Sequence, residues 1–254
     1  MKLKVLGIDS MEFDFKRRDE IWTDINNVRK WLQDPSIPSY ERNVCESAAI
    51  LDKLSSRNVP LVQYRGLTFE DPSVADAVLG GKMVLKRACE SFTPSVDTAE
   101  YFVTEEGPQH AVRFIMKKNL SKNEVILDLG GLKAVMKTFA KELRTAAAKG
   151  EMDSLMARLG IREFLPNIED LVHTIDSLDE SEFLVHPRPY SPKDVFKMKI
   201  DKHFEGINPK RIPIIASIFT KDERYSFDSL IGRWIEMKNG KISKIVTLGR
   251  DRAL

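Results

Sequence analysis

The chain has 254 residues, 42% hydrophobic and 31% charged, with 40 Lys/Arg against 38 Asp/Glu and a net charge of +2. That is enough chain for one large domain or two small ones with a sizeable core, and the near-neutral balance excludes a protein whose overall charge seeks polyanions, leaving only local basic patches. Two cysteines in no C-x-x-C pattern exclude a disulfide framework and fit a reducing, cytoplasmic setting, while the absence of a long apolar run excludes a signal peptide at the start and a membrane span anywhere, so no membrane partner is expected.

Residues 1–8, KLKVLGID in part, read as a short strand. Residues 18–33 read as a helix, with Ile21, Trp22, Ile25, Val28, Trp31 and Leu32 on one face, stopped by Pro35 and Pro38. A second helix fits 40–56, with Val44, Ala48, Leu51 and Leu54 inside, so 1–57 forms a helical lobe. Strands follow at 61–69 and 82–93, separated by a helix at 73–79. A helical turn or two fits 97–106, and strands fit 110–118 and 123–129. A long helical stretch covers 131–159, and a shorter helix 168–175. FKMKI and IPIIASIF read as strands. RWIEMKNGKISKIV reads as a hairpin, because Asn239-Gly240 is the pair a type I′ turn needs between alternating apolar positions. Residues 191–254 hold 14 Lys/Arg and 8 Asp/Glu, a net of +6.

VILDLGGLKAV (125–135) has the outline of a nucleotide-binding strand–loop–helix. Leu132 and Lys133 stand where further glycines should be, so a plain turn into a helix is the better reading. His110, His173, His186 and His203 have no metal-ligand spacing, and no metal is expected.

Three stretches carry chemistry. In Gln63-Tyr-Arg-Gly-Leu67 an arginine interrupts an apolar strand. Burying a guanidinium without a partner is costly, and its planar fork suits a phosphate or carboxylate. Gly66 lets a ligand approach the backbone. In Ser91-Phe-Thr-Pro-Ser95, the hydroxyls of Ser91 and Thr93 share one side of a strand, and Thr93, Ser95 or Asp97 can cap the helix that follows. In SLDESEFLV (177–185), Glu180 and Glu182 open a strand that wants to be buried.

In this order, YRGL, SFTPSVDTAEYF and DESEFLV resemble the mono-ADP-ribosyltransferases of the arginine–serine–glutamate type, a group that includes bacterial toxins and phage enzymes. The resemblance covers roughly residues 58–188. The family's second motif reads serine-threonine-serine, whereas here Phe92 and Thr93 follow Ser91. The resemblance implies an α/β (α+β) fold, with two facing, mostly antiparallel sheets in a catalytic core at 58–190. A basic β-rich segment at 191–254 completes that core or is appended to it.

It also implies NAD+ as substrate. Glu182 would stabilise the ribosyl cation, and Ser91 would orient Glu182. Arg65 would bind the pyrophosphate, with Thr93 beside it. Gly66 would offer its backbone to the nicotinamide amide, and Phe102 would stack on the ring. Members that modify arginine resemble this E-x-E, so Glu180 is expected to act as base toward a protein arginine, with Ile175–Asp179 touching the acceptor. Toxin-like members leave room for an antitoxin or inhibitor partner. Three other readings remain open: nucleic acid as acceptor, tracked by Lys238, Lys241, Lys244, Arg250 and Arg252; water as acceptor; and a binding protein without turnover.

Overall fold

A computed structural model describes residues 18–33, 37–51, 62–82, 89–105, 112–148, 169–170, 172–173, 182–202, 208–220 and 224–246. Among these the fold is mixed α and β, with two sheets of five and three strands whose described registers are all antiparallel. No described helix is long and apolar enough to cross a membrane. The expected strand at 1–8 lies outside the described residues.

The chain divides into two compact units, and neither is one continuous stretch. Residues 1–59, 87–91 and 121–186 form the first, and residues 60–86, 92–120 and 187–254 the second.

The first unit begins with α1 (Arg18–Gln33) and α2 (Pro38–Leu51). Their apolar residues recur every three or four positions. Ile25, Val28, Trp31 and Leu32 are buried on α1, and Val44, Ala48 and Leu51 on α2, so the two helices pack face to face. The three-stranded sheet runs β2 (Glu90–Phe92), β5 (Phe183–Val185), β4 (Val125–Asp128). A 20-residue helix, α5 (Leu129–Ala148), follows β4 with no intervening loop. The Asp128 carboxylate accepts the Gly131 N–H at 2.8 Å and so caps the helix. Gly130 and Gly131 lie in the first helical turn, which makes this junction a plain cap and not a glycine loop open to a nucleotide.

The second unit holds the five-stranded sheet, in the order β1 (Val62–Phe69), β3 (Val112–Asn119), β6 (Val195–Ile200), β7 (Trp234–Lys238), β8 (Lys241–Val246). The C-terminal strands thus complete a sheet that β1 and β3 begin. On one face Leu67, Phe69, Phe114 and Met116 are buried, with the Phe69 and Phe114 rings 5.6 Å apart. On the other lies α4 (Val96–Glu105), whose Ala99 and Val103 pack on Ile115 with Tyr64, Phe196 and Trp234 around them. Asn239 (φ 53) and Gly240 (φ 74) both adopt the left-handed region, as a type I′ turn demands.

One expected strand is a helix. IPIIASIF forms most of α6 (Pro213–Thr220), with a short helix α7 (Phe227–Leu230) after it. A run of β-branched residues fits strand or helix, and two features decide between them. Pro213 occupies the first helical turn, where its missing N–H costs nothing. Asp76, buried on α3 (Pro72–Leu79), accepts the N–H groups of Ile214 and Ile215, each at 2.8 Å. Ile215, Ile218 and Phe219 then fall on one buried face. Of the expected strand 82–93, the described part forms a strand only at Glu90–Phe92.

Candidate active site

In the first unit, Ser91 and Glu182 come to neighbouring strands. Ser91 is the middle residue of β2 and is half-buried, and Glu182 immediately precedes β5, the strand beside β2. Glu182 is only 6% exposed. Its carbonyl accepts the N–H of Leu129, the first residue of α5, at 3.0 Å, and Phe183 pairs with Asp128. The backbone of the glutamate is therefore fixed against the first residue of a long helix. The sheet buries two further carboxylates, Glu90 at 1% and Asp128 at 4% exposure. Asp128 has its cap bond to explain it. Glu90 escaped the sequence reading, although an acid beside Cys89 in an apolar strand was a signal of a partnered buried group. Glu180 lies outside the described residues, as do residues 175–179.

In the second unit, strand β1 gathers the groups expected to bind. Arg65 is 8% exposed and directed at the ring of Phe92, with the guanidinium carbon 5.9 Å from its centroid. A guanidinium near an aromatic ring gains a cation–π contact, and its planar fork of donors is one an ammonium reproduces poorly. Arg65 shares its face of β1 with buried Gln63, Leu67 and Phe69.

Gly66 has a different task. A Cβ there would lie 2.7 Å from the Ala99 carbonyl oxygen, 2.9 Å from Val103 Cγ1 and 3.3 Å from Phe102 Cβ. The missing side chain lets α4 settle onto β1. Gly66 also has an edge that no main-chain group pairs with among the described residues. Tyr64 exchanges both main-chain hydrogen bonds with Thr93, at 2.7 and 2.9 Å, on the side away from β3. Main-chain groups alternate direction along an antiparallel strand, so those of Arg65 enter the ladder with β3. Those of Gly66, two residues after Tyr64, project to the outer edge. Among the described residues β1 is the terminal strand of its sheet. Phe102, half-buried on α4, has its Cβ against the face of Gly66, and Tyr101 packs edge-on to its ring at 6.1 Å.

The hydroxyls of the second motif divide between two jobs. The Thr93 hydroxyl accepts the Ser95 N–H at 3.1 Å, and the Ser95 hydroxyl accepts the Thr98 N–H at 3.2 Å. These bonds shape the turn and cap α4. Among the described residues, then, Arg65, Gly66, Thr93 and Phe102 assemble around β1 in the second unit, and Ser91 and Glu182 on adjoining strands in the first. No group of His, Cys, Asp and Glu able to hold a metal occurs among the described residues. Comparisons with protein-family models, with curated proteins and with solved structures find no match.

Proposed function

We propose that this chain is a mono-ADP-ribosyltransferase that uses NAD+ as substrate and a protein arginine as acceptor. The observation that carries the reading is the placement of a half-buried serine on one strand and a buried glutamate at the mouth of the neighbouring strand of the same sheet, far apart in sequence. The open β1 edge at Gly66, next to buried Arg65 and half-buried Phe102, supports it from the binding side.

The reaction breaks the bond between C1′ of the ribose and the pyridinium nitrogen. Nicotinamide leaves neutral with the bonding electrons, and C1′ becomes cationic. A fixed carboxylate stabilises that charge more than it stabilises the ground state, which is what acceleration requires. Glu182 supplies it, and Ser91 holds Glu182 in orientation. Arg65 binds the pyrophosphate, the outward N–H and C=O of Gly66 suit the nicotinamide amide, and Phe102 offers its ring face. The acceptor guanidine attacks C1′ through nitrogen and gives up a proton to Glu180, since a protonated guanidinium is a poor nucleophile.

The test is incubation with NAD+ labelled in the adenylate portion and a cell lysate, followed by protease or nuclease digestion. Label on a macromolecule that resists nuclease and is released by protease is expected. Label released only by nuclease would move the acceptor to nucleic acid, and no nicotinamide release from any mixture would sink the reading.

A further inference from the structure

The α4 face of the five-stranded sheet carries a second feature beyond that helix. Side chains on β7 and β8 alternate. Ile235, Met237 and Ile242 are buried on one side, while Trp234, Glu236, Lys238, Lys241 and Lys244 turn to the other. A bulge in the β3–β6 ladder leaves Phe196 without a partner between Val195 and Lys197, and Phe196 and Trp234 both pack at the margin of the cluster under α4, partly buried. Lys117, Lys197 and Lys199 share this face, with the ammonium groups of Lys117 and Lys197 5.5 and 5.4 Å from the Phe196 ring centroid.

We propose that this face binds single-stranded nucleic acid, with bases stacked on Phe196 and Trp234 and phosphates met by the lysines. Three of the six lysines face carboxylates: Lys197 with Glu100, Lys199 with Asp201 at 2.9 Å, and Lys244 with Glu236 at 3.3 Å. Lys117, Lys238 and Lys241 face none among the described residues. Lys238 and Lys241 stand directly opposite each other across the hairpin, both exposed, and like charges so placed repel. Lysines protect exposed sheet edges from pairing, and that suffices for β8. It accounts for neither Lys117 on an inner strand nor the aromatic residues between. A string of anions relieves the repulsion, and unpaired bases use the ring faces, which a duplex or an acidic peptide leaves unused. A base stacked on the accessible part of Phe196 displaces ammonium groups toward its own phosphates, and stacking is the stronger of the two contacts.

The experiment measures fluorescence anisotropy of labelled RNA and DNA single strands of about 20 nucleotides on the full chain at stepped salt, without NAD+, so its outcome is independent of the proposed reaction. Binding should weaken with salt. The double variant Lys238→Ala/Lys241→Ala should bind about tenfold more weakly at ~50 mM salt, with a slope of log K against log salt flatter by about 1.4. Tryptophan quenching by the bound strand should disappear in Trp234→Phe, which preserves a packed ring. Absence of binding at ~50 mM salt overturns the proposal, as does an unchanged slope in the double variant. Equal competition by a duplex of the same sequence, or by poly-glutamate, would assign the face to duplex or to an acidic protein and also overturn it.

Discussion

The two units bury charge of opposite kinds. Among the described residues the first buries four carboxylates, Asp24, Glu90, Asp128 and Glu182, and no cation. The second buries two guanidiniums, Arg65 and Arg113, with one carboxylate, Asp76. Desolvating a charge costs several kcal/mol, so each must be returned by a specific interaction or retained for a task. For three of them the structural task is visible. Asp76 caps α6, Asp128 caps α5, and Arg113 ties α4 to the sheet through the Val103 carbonyl at 2.6 Å and the Asp201 carboxylate at 3.2 Å. The lesson is that burial alone does not mark an active site. Of the two arginines in comparable burial, one is a strut, and the one followed by an open glycine edge is the binding candidate.

The sharpest way to break this contrast is Glu182→Gln. It keeps shape and removes charge, so nicotinamide release should fall by about 10²- to 10³-fold, with the circular dichroism spectrum and the thermal midpoint close to wild type. Glu180→Gln should spare NAD+ hydrolysis and lose transfer. A Glu182→Gln enzyme with the wild-type rate removes the catalytic assignment.

The arginines come next. Arg113→Met removes the bonds to the Val103 carbonyl and Asp201 but leaves Asp201 paired with Lys199, and should cost about 2 kcal/mol in chemical denaturation. Arg65→Lys should cost less than about 1 kcal/mol and instead raise the KM for NAD+ roughly tenfold, because an ammonium cannot reproduce the planar fork. If the two variants exchange these signatures, the division into strut and ligand is wrong.

Smaller effects probe the backbone. Gly66→Ala forces the new methyl against the Ala99 carbonyl and Val103, and should destabilise by about 1–3 kcal/mol as α4 is pushed off β1. Gly240→Ala puts a side chain at φ 74 in the hairpin and should cost about 1 kcal/mol. Equal midpoints for Gly66→Ala and wild type would mean that α4 yields freely there.

Periodicity made much of this molecule legible in advance. Both N-terminal helices and the β7–β8 hairpin follow from local spacing and turn chemistry, which are complete within a dozen residues. The 212–219 segment was not legible in that way. Its apolar run suits either state, and the deciding carboxylate, Asp76, lies far away in sequence on α3. The capping role of Asp128 was likewise hidden behind its resemblance to a nucleotide loop, and Glu90 behind its neighbours in an apolar strand.

The amino-acid order alone determined α1, α2 and the β7–β8 hairpin, and where unusual groups stand in or beside apolar runs: Arg65, Ser91 and Glu182. Only the tertiary structure decided that Ser91 lies on the strand beside the one Glu182 opens, that Gly66 serves α4 on one side and an outer strand edge on another, and that the C-terminal strands complete the sheet begun by β1 and β3. Strand partners are chosen by long-range hydrogen bonding and shared burial, and neither is written in the spacing of any single stretch of chain.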